Sequence, residues 1–327
     1  MRKIAFRQHT PTTAAKILSM AKLPSFLPGN SGNSSASLPS VNGGVAIVTG
    51  ASSGIGRATV AALAQLKTST HSGAHVNPHT GARSYAPDRI IGTSRNPDTI
   101  TDPVDGVDYL PLDLANPASI DEFAASALRF GPPTVLVNNA GESQCGPLEE
   151  LPDDALHRLF EINVLGQVGV TKKILPEMRQ RGAGRIVMVG SMLGSFPLAY
   201  RSSYVASKAA IKGFAFAARR EVRPYGVGIS VVEPGSINTG LSARRTKYVD
   251  LDGPYGAEFT TMLKNLDNNE ANGISAERVA EEILKPITSA RPKPLYATGS
   301  MAPVVFPLSR VLPTAAMHWL INRKHGL

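Results

Sequence analysis

Val45-Ala46-Ile47-Val48 leads into Thr49-Gly50-Ala51-Ser52-Ser53-Gly54-Ile55-Gly56, and that into Arg57-Ala58-Thr59-Val60-Ala61-Ala62-Leu63-Ala64. The first four residues are apolar and mostly β-branched, which reads as a short buried strand, and the last eight read as a helix. A glycine motif gains meaning in this context, with a strand running straight into it and a helix straight out. Glycines allow the tight turn and let the backbone approach an anion closely. The helix amino terminus then meets that anion with free N–H groups and its positive dipole end. A pyrophosphate suits such a cradle. The spacing, Thr-Gly-x-x-x-Gly-x-Gly, is wider than Gly-x-Gly-x-x-Gly. An ordinary glycine-rich connection is the competing reading of the stretch in isolation.

The same alternation repeats down the chain. Strands are expected at 89–93, 107–110, 135–137, 185–190 and 227–232, with a short one at 295–297. Helices are expected from Asn116-Pro117, a cap and first-turn pair, over 153–181, up to about residue 223, and at 256–268 and 275–289. Strands alternating with helical segments predict an α/β fold: a doubly wound parallel sheet, the Rossmann fold, with helices on both faces.

At 327 residues, with 42% hydrophobic and 18% charged residues, the chain fits a globular protein with a sizeable core. Residues 1–43 read as an extension, disordered or targeting, and 44–327 as a single domain. The extension is basic at its start and rich in Ser, Thr, Pro, Gly and Asn from Pro24 to Gly44. A weak transit-peptide pattern, a disordered tail and an over-extended start ahead of Met20 all fit it. Residues 67–88 read as a polar surface-loop insertion. Its histidines His71, His75 and His79 have no acidic or cysteine companion, so no metal site is expected. Residues 240–327 read as a substrate lid and tail; the tail is too broken by proline to span a bilayer but suited to rest on a membrane surface.

The net charge of +9 suggests a polyanion partner only until it is located. No acidic residue precedes Asp88, whereas Arg2, Lys3, Arg7, Lys16, Lys22, Arg57, Lys67 and Arg83 do, so the rest of the chain carries +1. No nucleic-acid footprint is left. One cysteine, Cys145, excludes an intramolecular disulfide and points to a reducing, cytoplasmic setting, or a mitochondrial one if the extension is a transit peptide.

Candidate chemistry gathers between Ser191 and Lys208. Tyr204 and Lys208 stand four residues apart, so on a helix they share a face. A neighbouring ammonium favours a phenolate, the condition for a tyrosine to exchange protons near neutral pH. Ser191 follows the apolar run Ile186-Val187-Met188-Val189, at a strand's carboxyl end, where open α/β sheets bind ligands. A core tyrosine beside a solvated lysine is the alternative for Tyr-x-x-x-Lys alone.

The glycine motif Thr49–Gly56, Asp113, Asn138-Asn139-Ala140-Gly141, Asn163, Ser191, Tyr204-x-x-x-Lys208 and Pro234-Gly235 with Thr239 occur in one order on matching elements. Together they resemble the classical short-chain dehydrogenase/reductase family, strongly over 44–240 and loosely over 241–327. In character the chain is similar to its hydroxysteroid and retinol dehydrogenase branch. The resemblance implies Tyr204 as general acid/base, Lys208 as its modulator and a ribose ligand, Ser191 as holder of the substrate oxygen, and Asn163 as anchor of a proton-relay water. It also implies cofactor contacts from Gly50, Ser52, Ser53, Gly54, Ile55, Gly56, Asp113, Leu114, Asn139, Ala140, Gly141, Pro234, Gly235, Ile237 and Thr239. Asn139, Asp113 and Leu114 fall on the adenosine side.

Cofactor choice turns on Thr93-Ser94-Arg95. An acid there would bind a free ribose 2′-hydroxyl, whereas Ser94 and Arg95 suit a 2′-phosphate, so NADP(H) is expected over NAD(H). Apolar residues of the lid (Leu241, Tyr248, Tyr255, Phe259, Met262) and of the stretch after Ser191 (Met192, Leu193, Phe196, Leu198, Tyr200) suggest a small hydrophobic carbonyl or alcohol substrate. The competing function is a non-catalytic NADP(H)-binding sensor or scaffold; a sugar-nucleotide epimerase is disfavoured by the glycine spacing. The resemblance further implies a homodimer or homotetramer.

Overall fold

Seven strands pair in parallel: β1 (Val45–Val48), β2 (Arg89–Ser94), β3 (Val107–Pro111), β4 (Pro133–Asn138), β6 (Gly184–Val189), β7 (Val227–Pro234) and β9 (Leu295–Thr298). Their spatial order is β3-β2-β1-β4-β6-β7-β9. The computed structural model describes residues 37–71, 85–240 and 244–327. β1, β4, β6 and β7 are buried at every position, which is why they read as unbroken apolar runs rather than alternating ones.

The pleat still sorts their side chains into two cores. Ile47, Leu136, Ile186 and Ile229 lie in one cluster with Phe123, Ile174, Met178 and Ile211. These last four belong to α2 (Pro117–Leu128), α4 (Gly166–Arg181) and α5 (Ser202–Val222). Ala46, Val48, Val135, Val137 and Val187 lie in the other, with Val60 and Leu63 of α1 (Gly54–His71) and Val279 and Ile283 of α7 (Ala276–Thr288). Helices therefore cover both faces. The strand order reverses direction between β1 and β4, and a crevice opens at their carboxyl ends.

Four expectations change. The compact unit begins at Ser37, not 44. Leu38 and Val41 are only 5% and 3% exposed, Leu38 N–H donates to the Ala290 carbonyl at 2.8 Å, and Arg185 donates to the Pro39 carbonyl at 2.9 Å. Serine and proline around these two apolar residues give the segment the composition of a linker, although its contacts are with β6 and the end of α7. Burying a residue of this kind stabilises by roughly 1.5–3 kcal/mol. A chain starting at Gly43 should therefore melt roughly 10 °C below one starting at Ser37; equal melting temperatures would restore the later boundary. Second, α1 continues to His71 and Tyr85 is buried, so the expected loop over 67–88 is shorter at both ends. Its centre, with His75 and His79, lies outside the described residues, as do the first 36 residues and Leu241.

Third, the single helix expected at 153–181 is α3 (Asp153–Phe160) and α4 joined by a π turn at Glu161–Leu165. Fourth, Gln144–Cys145 (β5) pairs in parallel with Thr246–Lys247 (β8), a two-residue ladder too short to leave a periodic signal. It pins the start of the lid beside the strand-four loop. Beyond it come α6 (Gly256–Ala271), α8 (Ala302–Leu308) and α9 (Thr314–Lys324).

Candidate active site

A crevice of about 570 Å³ lies at the carboxyl ends of the strands. Gly50, Ser52, Ser53, Gly54 and Ile55 form one end of it; Ser94, Arg95, Asp113 and Leu114 line it beside them. Asn139, Ala140 and Gly141 lie along the middle, Ser191, Tyr204 and Lys208 on one wall, and Pro234, Ile237 and Thr239 on another. Residues scattered over nearly 190 positions of sequence thus meet at one opening.

The glycine turn is shaped by necessity. Gly50 and Gly54 have φ of +66° and +53°, the left-handed region that side-chain-bearing residues avoid. Gly56 does not line the crevice; it sits where any Cβ would overlap the Gly50 carbonyl and come within 2.6 Å of Asn139 Nδ2. Asn139 braces the turn from β4, its Nδ2 donating to the carbonyls of Thr49 (3.0 Å) and Gly50 (3.2 Å). The Thr49 hydroxyl accepts the Asn139 and Ala140 N–H groups, both at 3.0 Å. Asn139 lines the crevice as well, and its amide nitrogen holds the cradle in shape.

Tyr204 and Lys208 share the inner face of α5, 8% and 5% exposed. Lys208 Nζ donates to the Val189 carbonyl at 3.0 Å and lies 5.8 Å from the Tyr204 ring centre. Ser191 follows β6 by two residues, and its hydroxyl accepts the Leu193 N–H at 3.2 Å. Asn163 is fully buried behind the crevice rather than on it. The π turn rotates it inward, a common use of such turns at functional sites. There Asn163 Oδ1 accepts the Glu142 N–H at 2.8 Å and its Nδ2 donates to the Glu142 carbonyl at 3.0 Å and to Ser207 Oγ at 3.2 Å. A Cβ at Gly141 would stand 2.9 Å from Asn163 Oδ1 and 3.7 Å from Lys208 Nζ, so those two polar atoms approach the same point. Gly235 also lies off the crevice, packed against Gly299 and Ser300.

Several lining residues escaped the sequence reading. Glu142 receives Arg158 through two hydrogen bonds (2.6 and 3.1 Å) and has Arg95 at 3.8 Å. Arg244, on the lid, donates to Ser53 Oγ of the glycine turn at 3.2 Å. Arg158 and Arg244 are far apart in the sequence and belong to none of its motifs, and nothing local says that they face one crevice with Arg95.

The family model for short chain dehydrogenase matches residues 44–249. The chain belongs to the short-chain dehydrogenase family. It is 32% identical to dehydrogenase/reductase SDR family member 7B of Bos taurus over 81% of this chain and 80% of the relative. It is 29% identical to 3-ketodihydrosphingosine reductase of Bacteroides thetaiotaomicron over 84% of this chain and 93% of that one. A short-chain dehydrogenase from Streptomyces avermitilis superposes with a TM-score of 0.67 at 30% identity, covering 82% of this chain and 93% of that one. The same fold is seen in Burkholderia enzymes solved with NADP (TM-score 0.64, 86% of this chain and 99% of that one) and with NAD (0.65, 84% and 94%), each 23% identical.

As a short-chain dehydrogenase, the chain is an oxidoreductase with a nicotinamide site, and its substrate walls differ from those expected. Leu198, Phe259 and Met262 pack into a closed cluster with Cys145 and Leu266. Met192 and Phe196 are covered by Ala302 and Met317 of the tail helices, and Phe196 stacks edge-on against Phe306 at 4.9 Å. These five residues are core, because the tail folds back over them. Tyr200 and Tyr255 instead border a second hollow of about 380 Å³ with Gly146, Pro147, Leu148, Glu149 and Ser202.

Proposed function

We propose that this short-chain dehydrogenase transfers a hydride between NADP(H) and the carbonyl or alcohol carbon of a hydrophobic substrate. The supporting observation is that Ser191, Tyr204 and Lys208 line the same crevice as the glycine turn. The glycine turn, where a Cβ at Gly56 would overlap the Gly50 carbonyl, and the start of α1 on the crevice fit a pyrophosphate. Bound there, a nicotinamide supplies or accepts the hydride. The chain's own residues do the remainder. Ser191 orients the substrate oxygen, Tyr204 gives that oxygen a proton in reduction and withdraws it in oxidation, and Lys208 steadies the resulting phenolate. Asn163 anchors the path by which the proton is restored. A sensor or scaffold would have no use for this set, which favours the enzyme over that alternative.

Selectivity for NADP(H) rests on the end of β2. No acid stands at Thr93, Ser94 or Arg95, and Glu142, the nearby carboxylate, is engaged by Arg158. The Arg95 side chain is 70% exposed and pairs with Glu142 at 3.8 Å, a surface contact weak enough for a 2′-phosphate to displace. Arg95→Ala should weaken NADPH binding about tenfold, the low end for a charge-assisted hydrogen bond at an exposed site, and leave NADH within about twofold. Fluorescence titration with both cofactors reads this, and equal losses would count against the assignment.

For the substrate, the hollow beside Leu148, Tyr200 and Tyr255 supports an elongated apolar ketone, in keeping with the 3-ketodihydrosphingosine in the name of the Bacteroides relative. Steroid, retinoid and aromatic ketones are the comparison set; a panel followed by NADPH absorbance should rank the long-chain ketones first, and no turnover with any of them would sink the class. Pairing into a homodimer or homotetramer is proposed through α4 and α5, where Phe214 and Phe216 of α5 and Tyr225 just beyond its end are exposed, and light scattering at monomer mass would refute it. Contact with a membrane surface is proposed through the tail. After Glu282 the chain has six basic residues and no acid, and Val311, Trp319 and Leu320 are exposed. Among the described residues no helix is long and apolar enough to cross a membrane. Failure to float with anionic vesicles would exclude the contact.

A further inference from the structure

Arg201 brings a positive charge into the interior without an ion pair among the described residues. It is 2% exposed. Its Nη2 donates to Ser143 Oγ at 3.0 Å, while Nε and Nη1 are buried with no hydrogen-bond partner. A buried ion left in this state is costly, by several kcal/mol in general, and calls for a reason. The guanidinium lies over the Tyr204 ring, Cζ 4.4 Å from its centre, closer than Lys208 Nζ at 5.8 Å. The neighbouring buried arginine, Arg245, is by contrast neutralised by Asp267 at 2.7 Å and Glu270 at 2.5 Å. Burial and the charge of Arg245 both push Arg201 below the usual arginine range, with Tyr204 among the groups opposing them.

The backbone enforces this placement. Tyr200, just before it, holds φ of +62°, a conformation rarely adopted by a bulky residue. Its ring is wedged edge-on against Phe259 (5.7 Å) and Tyr255 (6.5 Å). That turn sets Arg201 at the cap of α5, where its carbonyl accepts the Val205 N–H at 2.8 Å.

We propose that Arg201 is a positioning residue for the reaction, fixing the Tyr204 ring by its face and presenting a second cation, besides Lys208, to the phenolate that forms there. This rests on Tyr204 acting as the proton donor. In reduction, hydride adds to the carbonyl carbon, the π pair moves to oxygen, and that oxygen takes the Tyr204 proton as the tyrosine O–H bond breaks. The carbonyl is reduced, the nicotinamide oxidised, and the electron pair of the broken bond remains on the phenolate between two cations. The charged and titratable groups around this pair are Lys208 on α5, Arg245 beside β8, Asp267 and Glu270 on α6, and Cys145 on β5.

The test compares Arg201→Met, which keeps much of the volume and removes the charge, with Arg201→Lys, which keeps the charge. Arg201→Met should lower kcat for ketone reduction roughly ten- to a hundredfold with the substrate KM and NADPH Kd within about twofold. A cation favours the deprotonated phenol, so its loss should move the alkaline limb of the kcat–pH profile to higher pH. Arg201→Lys should restore most of kcat and return the limb. An unchanged limb in Arg201→Met, at unchanged NADPH affinity, would overturn the proposal and leave a packing role. If the methionine variant does not fold, Arg201→Gln decides: a limb moved to higher pH supports the proposal, and an unmoved one overturns it. Should Tyr204→Phe prove active, it is the reading of Tyr204 that fails, a result separable from the limb position in the Arg201 variants.

Discussion

Tyr204→Phe is expected to lose about three orders of magnitude in turnover, while NADPH binding and the melting temperature stay nearly unchanged. Only one oxygen is removed. The ring remains under Arg201 and along the inner face of α5, so packing with its neighbours persists. What is lost is the proton that the substrate oxygen needs as hydride arrives, and neither Ser191, which can orient that oxygen, nor Lys208, held by the Val189 carbonyl, is placed to give it as efficiently. Single-turnover kinetics with saturating NADPH measures the chemical step directly. Retention of activity within about tenfold would remove Tyr204 from the role and, with it, the proposed mechanism.

Gly56→Ala should abolish cofactor binding through shape alone. The added Cβ overlaps the Gly50 carbonyl and crowds Asn139 Nδ2 to 2.6 Å, and neither is the free end of a flexible side chain. Gly50 is fixed by its left-handed φ, and Asn139 by its bonds to Thr49 and Gly50. Accommodation must therefore shift the start of α1 away from the turn. Overpacking of this kind costs about 1–3 kcal/mol in stability, and the displaced N–H groups no longer converge on the pyrophosphate. A rise in NADPH Kd of roughly a hundredfold is expected by titration, with a lowered melting temperature. Unaltered binding would show that the cradle tolerates a side chain and that the cofactor sits elsewhere.

Asn163 and Arg201 show why part of the site was legible and part was not. Asn163 is implied by the family resemblance, yet helical periodicity alone cannot say that a π turn rotates it inward to Glu142 and Ser207. Arg201 belongs to none of the motifs that the sequence offers; its burial goes with the turn at Tyr200, whose ring is wedged against Tyr255 and Phe259. Phe259 and Met262 read as lid surface because their helix is amphipathic, and became core because the tail folds across it.

By itself, the sequence determined the strand–helix order, the glycine turn and the one-turn spacing of Tyr204 and Lys208. Each of these is a local matter of periodicity, backbone freedom and side-chain spacing along neighbouring residues. The tertiary structure decided which cations face the crevice, which apolar residues remain open to a substrate, where the domain begins, and which arginine lies against the Tyr204 ring. Those depend on contacts between residues far apart in the chain, such as Arg244 with Ser53 or Leu38 with Ala290, and packing energy between distant segments leaves no periodic mark on either.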